Sequence, residues 1–243
     1  MKKISIVIII IMSFNSCFSQ NETTTVNTIN MYLKDYNSKA EKLDTSVFTE
    51  LSSLSKKNNE VLPKQIIFPF KEKKIELQNI GPYLYKFYQL DTINQTVKLE
   101  LEANLAGDIH YKEKIDNLFY YNEIYYLNGN MRSKNISSWL GFSINNAYKY
   151  DEKGNLIRTI DFDQGYGFNF DKVLNFCKNN DIELQANKMN KLTKATLENG
   201  KKVWNINYFN GKTNKIDFYQ LDGETGEIIQ KEIGKEKYGI KHY

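Results

Sequence analysis

Val97-Lys98-Leu99-Glu100-Leu101-Glu102-Ala103 alternates apolar and charged residues without a break. Successive side chains of an extended chain point to opposite faces, so Val97, Leu99, Leu101 and Ala103 share one face and the charges share the other. A helix would scatter the same residues around its circumference. The segment therefore reads as a half-buried strand, and its surroundings repeat the pattern. Aromatic and β-branched runs at 66–70, 83–90, 118–127 and 136–144 read as further strands. Gly81-Pro82, Gly107-Asp108 and Asn128-Gly129-Asn130 separate them, and Asn-Gly suits a hairpin because both positions reach positive φ at little cost. Consecutive strands joined by short turns predict an antiparallel, aromatic-rich meander.

Before the meander the period is different. Met31, Leu33, Tyr36, Ala40, Leu43, Val47, Phe48, Leu51 and Leu54 recur every three or four residues, which predicts an amphipathic helix over 29–55. It is one helix, or two broken near Asp44-Thr45-Ser46, where Asp or Ser caps a second segment. Asn58-Asn59-Glu60 and Pro63 end it, and polar residues 20–28 precede it as a leader. Within the meander, Tyr125 with Gly129-Asn130-Met131 is echoed by Tyr150 with Gly154-Asn155-Leu156. The stretch Tyr148-Lys149-Tyr150-Asp151-Glu152-Lys153-Gly154-Asn155-Leu156-Ile157 resembles one unit of the MORN-variant and YD-type hairpin repeats. Two copies are fewer than the three that stable stacking usually takes, so two ordinary hairpins are the preferred reading.

Past residue 163 the pattern turns helical, then extended again. Phe170, Val173, Leu174 and Cys177 form an apolar helical stripe ending near Asn179-Asn180. Strands follow at 192–197, 203–209 and 216–221, with turns at Glu198-Asn199-Gly200-Lys201 and Gly211-Lys212-Thr213-Asn214. The ending Tyr219-Gln220-Leu221-Asp222-Gly223-Glu224-Thr225-Gly226-Glu227-Ile228-Ile229, with Trp204-Asn205-Ile206-Asn207-Tyr208 before it, resembles a PepSY domain. That resemblance covers about the last third of the chain. It implies a small extracytoplasmic α+β module without catalytic residues, which binds or restrains a partner. In it Gly226 serves the turn, and Trp204 and Tyr219 serve packing. The expected fold is thus α+β: an N-terminal amphipathic helix, an antiparallel meander sheet, and a helix-plus-antiparallel-sheet module. The expected divisions are a signal peptide at 1–19 (1–16 for a lipoprotein), helix and sheet at 20–163, the PepSY-like module at 164–233, and a tail at 234–243.

The first twenty residues carry an address. Lys2 and Lys3, a run over 4–12 that is apolar but for Ser5, and then small and polar residues have the order of a bacterial secretion signal. The run is short of the ~20 apolar residues that span a bilayer. Phe14-Asn15-Ser16-Cys17 resembles a loose lipobox with Cys17 as the acylated residue. The preferred cut lies instead between Ser19 and Gln20, since Phe18-Ser19-Gln20 resembles the signal ending of Bacteroidetes-type exported proteins. The alternatives differ physically, because each acyl methylene contributes ~0.8 kcal/mol of membrane affinity and one chain alone binds only marginally. A periplasmic or secreted location is expected, with a membrane-anchored lipoprotein as the alternative. The membrane enters only through a Cys17 lipid.

Composition narrows the partners. Removing residues 1–19 from the 243 leaves 224, and the signal's two lysines take the formal charge from +4 to +2. Lysine and glutamate are mixed, as in Lys71-Glu72-Lys73-Lys74, with no basic stripe for nucleic acid. The two cysteines are Cys17 and Cys177, so no disulfide forms within a chain that loses or lipidates Cys17. Cys177 reads as a small core residue on its helix. Packing by 17 tyrosines and 14 phenylalanines must supply stability.

The chemistry is sparse. His110 and His242 lie far apart with no nucleophile beside them, which also argues against a His/Cys zinc site. Asp161-Phe162-Asp163 begins like an EF-hand loop, but Gly165, Tyr166 and Lys172 stand at its fifth, sixth and twelfth positions, where a ligand, Gly and Glu are needed. Glu100 and Glu102 share a strand face with Lys98 and read as a solvated surface rather than an acid–base pair. Walker and dinucleotide glycine patterns are absent, and no cofactor, metal or catalytic residue is assigned. The leading expectation is an exported non-enzymatic protein that binds an envelope or secreted protein. The alternatives are an envelope hydrolase or carbohydrate-active protein, with Asp161 and Asp163 as acid and base beside a Tyr- and Trp-lined surface, and a structural lipoprotein.

Overall fold

The alternating segment becomes the fourth strand of a nine-stranded sheet. A computed structural model describes residues 36–56, 62–71, 73–90, 97–184 and 190–235. The chain divides into two compact units, Met1–Asn37 and Ser38–Tyr243, and all elements below belong to the second. They are α1 (Ser46–Lys56), β1 (Gln65–Phe70), β2 (Lys73–Gly81), β3 (Leu84–Leu90), β4 (Val97–Asn104), β5 (Asp108–Lys114), β6 (Phe119–Tyr126), β7 (Met131–Ser138), β8 (Ser143–Tyr150), β9 (Leu156–Asp161), α2 (Phe170–Asn179), β10 (Lys191–Thr196), β11 (Lys202–Asn210), β12 (Lys215–Asp222) and β13 (Ile228–Lys235). The architecture is broadly α+β and mostly β, at 55% strand and 11% helix, so the sheets carry it.

Strands β1 to β9 pair in sequence order, each antiparallel to its neighbours. This is the meander that the turn residues predict. Period-two burial fixes its inner face: Ile66, Phe68 and Phe70 of β1, Ile75 and Leu77 of β2, Leu99, Leu101 and Ala103 of β4, and Ile109 and Tyr111 of β5. Each buried Leu, Ile or Phe side chain of this face contributes about 1.5–3 kcal/mol by leaving water. Helix α1 lies on that face. The Phe48 ring stands 4.6 Å from Phe68, which continues through Phe70 to Tyr111. Pro69 sits on β1, an edge strand, where a missing N–H costs no ladder bond.

Two expectations change here. Among the described residues, the helix predicted over 29–55 is present as Ser46–Lys56. The Asp44 carboxylate accepts from the Ser46 N–H (3.1 Å) at its start, as the capping signal implied. Residues 38–45 instead form a strap along the strand ends. Leu43 N–H donates to the Gly129 carbonyl (2.9 Å), Thr45 Oγ1 to the Leu127 carbonyl (2.6 Å), Lys134 Nζ to the Lys39 carbonyl (2.7 Å) and the Tyr150 hydroxyl to the Ser38 carbonyl (2.8 Å). The part of the predicted helix before residue 36 lies outside the described residues. The run 136–144, read as one strand, is two. Gly141, at φ 109°, turns the chain between β7 and β8, with Ser138 N–H donating to the Phe142 carbonyl (2.7 Å) and Ser138 Oγ accepting from Leu140 N–H (3.1 Å).

The echoed stretches form the same turn. Tyr126 N–H donates to the Asn130 carbonyl and Gly129 N–H to Tyr126, while Asp151 pairs with Asn155 and Gly154 with Asp151 in the same way. Beyond them, α2 and the four-stranded antiparallel sheet β10-β11-β12-β13 follow in the predicted order. Asn169 caps α2 by accepting from Lys172 N–H (3.1 Å), and Val173 and Cys177 are its buried stripe. The two sheets do not share strands.

Candidate functional site

Large rings join the two sheets. Phe119 starts β6, Phe142 follows the β7–β8 turn, Phe170 opens α2 and Trp204 sits on β11. Phe170 stands 5.3 Å from Phe119 and 5.1 Å from Phe142, and Trp204 stands 5.4 Å from Phe142 and 5.3 Å from Tyr166. Trp204 is fully buried, and its indole N–H donates to the Phe168 carbonyl (2.8 Å). The edge-to-face contacts among them, Phe119–Phe170, Phe142–Trp204 and Tyr166–Trp204, add ~0.5–1.5 kcal/mol each beyond burial. Beside this joint opens a cleft of about 670 Å³.

One wall comes from the meander. Tyr120, Ser137, Ser143 and Asp161 face the cleft from β6, β7, β8 and β9. Asn122 Nδ2 donates to Asn135 Oδ1 (3.0 Å), which fixes the Asn135 amide so that its Nδ2 donates to Ser137 Oγ (2.5 Å) and Ser143 Oγ (3.3 Å). The two hydroxyls touch at 3.1 Å. Tyr120 also stacks on Trp139 of the β7–β8 turn, at 4.2 Å between centroids and 33° between planes. The other wall brings Tyr166, Lys194, Thr196 and Lys202.

Lys194 is the notable group. Its side chain is about 10% exposed, and its ammonium lies 4.8 Å from the Tyr166 ring centre and 5.0 Å from that of Trp204. It donates to the Phe162 carbonyl (3.0 Å) and pairs with the Asp163 carboxylate. Burial pulls its pKa below the ordinary lysine value, against the opposing pull of Asp163. Aromatic faces and a carboxylate together hold the cation in place. Lys202 Nζ donates to Thr196 Oγ1 (2.9 Å).

The carboxylates singled out in the sequence separate here. Asp161 lines the cleft, and its Oδ1 accepts from the Asp163 N–H (2.8 Å). Asp163 pairs with Lys194 and accepts from the Asn145 N–H (2.7 Å). One carboxylate of the pair is therefore committed to a cation, an arrangement unsuited to acid–base work. Glu100, Glu102, His110 and Lys112 surround a separate hollow of about 110 Å³ on the outer face. There Glu102 stands opposite Lys86 on one side and His110 on the other, and Glu100 lies 3.4 Å from Lys112. These glutamates are half-buried and paired rather than openly solvated, and Glu102 pushes the Lys86 pKa up. Among the described residues, no three His, Cys, Asp or Glu converge as a metal would require.

Cys177 is buried, and burial pushes its thiol up to about 12. Cys17, Ser19, Gln20 and His242 lie outside the described residues. The sequence reading missed Tyr120, Trp139, Ser137, Ser143 and Lys194. A signal for the first four was present: Gly141 inside a run otherwise read as strand marks a turn, and a turn there brings Trp139 against Tyr120. Compared with known families, curated proteins and solved structures, the chain finds no match.

Proposed function

We propose that the protein is an exported, non-enzymatic binding protein whose open strand edges hold an envelope or secreted protein. The observation that carries this reading is the state of two of the four sheet edges, β9 and β13. Among the described residues, β9 pairs only with β8 and β13 only with β12. Both bear bare aliphatic side chains: Leu156 and Ile157 on the first, Ile228, Ile229 and Ile233 on the second. An open edge offers unpaired N–H and C=O groups to an added strand, and proteins usually blunt it. The PepSY-like character proposed for α2 and β10–β13 agrees with a restraining role, and the signal-like start supplies the compartment. The Asp163–Lys194 pairing favours binding over acid–base chemistry in the cleft.

The test is co-purification after cross-linking in intact cells. Wild type should retain an exported protein, and Ile228→Lys with Ile229→Lys should lose it while keeping the same Tm. Equal retention by the variant, or no retained protein with either, counts against the reading. Metabolic labelling with a palmitate analogue in wild type and Cys17→Ala separates a lipoprotein from a freely secreted protein.

A further inference from the structure

We infer that the cleft between the meander and the C-terminal sheet binds an uncharged saccharide, with Tyr120, held by its stack on Trp139, as its platform. This site reaches the β9 edge only at Ile160 and Asp161, lies apart from β13, and holds whether or not a protein binds the edges. Its size comes first. About 670 Å³ is in the range of small-molecule sites and accommodates one or two sugar rings.

Charge comes second. Two cations, Lys194 and Lys202, stand with two carboxylates, Asp161 and Asp163, so the region is balanced. Lys194 is already paired with Asp163. An anionic ligand would meet the open Asp161, and a cationic one would meet Lys202. A neutral ligand meets neither penalty. An apolar ligand fits poorly, because it would leave the serine proton that points outward without an acceptor.

Hydrogen-bond capacity comes third. Asn135 donates to both serine oxygens, so neither serine needs to point its proton at that amide. The two hydroxyls hold two protons between them, and their mutual 3.1 Å contact uses one. At least one proton is left to donate outward, beside Gln164 and Thr196, whose side chains donate and accept. Sugar hydroxyls are mixed donor–acceptors of the same kind. The aromatic stack completes the match. A pyranose ring has a face of C–H bonds whose positive edge rests on the negative face of an aromatic ring, and Tyr120 lines the cleft with Trp139 stacked against it at 4.2 Å.

The protein has two tryptophans, and Trp204 is fully buried. Ligand-dependent fluorescence should therefore report Trp139. The probes are neutral oligosaccharides (β-1,4-glucan, α-1,4-glucan, β-1,4-mannan and β-1,4-xylan hexamers), with an oligogalacturonate hexamer as the anionic control, titrated into the full mature chain. The expected result is saturable binding of at least one neutral hexamer. Affinity, read by isothermal titration calorimetry because the Trp139 variants lose the fluorescent reporter, should fall at least tenfold in Trp139→Ala and in Tyr120→Ala at unchanged Tm, and recover with Trp139→Phe. No saturable binding of any neutral hexamer, equal binding by both alanine variants, or binding of the oligogalacturonate alone would overturn the inference. Loss of sugar binding leaves edge-dependent cross-linking unaffected, so the two readings fail separately.

Discussion

Asp222 shows how much one buried carboxylate does at the end of a strand. Lys201 Nζ lies 2.6 Å from it, and the N–H groups of Glu224 (2.7 Å) and Thr225 (2.9 Å) donate to its other oxygen. Lys201 first, then those N–H groups, hold its pKa at about 2, below the ordinary aspartate range. A depressed carboxylate stabilises the fold fully above its unfolded pKa of roughly 4 and loses that contribution as pH falls through its folded value. Calorimetry should show the Tm of wild type falling between about pH 4 and pH 2 more steeply than that of Asp222→Asn, with the variant already less stable at pH 7. Parallel curves would contradict this. Cys177 offers a second check: with its thiol raised and buried, it should resist iodoacetamide at pH 8 and label only after denaturation, as peptide mass spectrometry would read. Trp204→Ala should cost about 3–5 kcal/mol by chemical denaturation, since it empties the centre of the aromatic joint. The alternation around Trp204 made its burial legible in the sequence. Its partners Phe142 and Phe170 were not legible, because their meeting depends on how the two sheets pack. Gly226 was read as a turn glycine. Its φ of 80° agrees, but the ring of Phe168, 2.2 Å from where a Cβ would stand, adds a reason that only the folded chain supplies.

At the scale of elements, the strap over 38–45 depends on one glycine. Gly129 has φ 84°, and a Cβ there would lie 2.1 Å from the Leu43 carbonyl oxygen. Gly129→Ala should therefore strain the turn and displace the strap, lowering Tm and speeding proteolysis between residues 38 and 45. Gly154→Ala, in the same turn at φ 88° but with nothing nearer than the Asn130 side chain at 4.0 Å, should strain the backbone without freeing the strap. Limited proteolysis of the two variants separates the effects, and equal cleavage would refute the assignment. The same comparison explains why the strap was misread. Ala40, Leu43 and Val47 satisfy a helical period, but hydrogen bonds from Thr45, Lys134 and Tyr150 hold the chain extended as far as Thr45. Local spacing yields to tertiary contact wherever few residues define the period. β4 was the opposite case: seven alternating residues left no helical alternative. β2 went unread because Lys73, Lys74, Glu76 and Gln78 obscure Ile75 and Leu77, its two buried aliphatic side chains.

At the scale of the whole unit, two sheets meet through an aromatic joint, and each ends in an edge strand with exposed aliphatic side chains. The predicted strand-and-turn order was enough to anticipate both sheets. It did not reveal the cleft, since Tyr120, Ser143 and Lys194 come from separate strands and converge only through the register of the meander and the seating of Trp204. Nor did it reveal the edges, because a strand's neighbours are a property of topology. Partner binding at those edges is the central claim, and one measurement addresses it most directly. A photo-activatable residue is placed at Ile229 on the β13 edge, and in a second protein at Lys149 inside the sheet, each in the native host cell. The expected result is a discrete adduct with an identified exported protein at Ile229 and none at Lys149. No adduct at Ile229, or the same adducts at both positions, would contradict it.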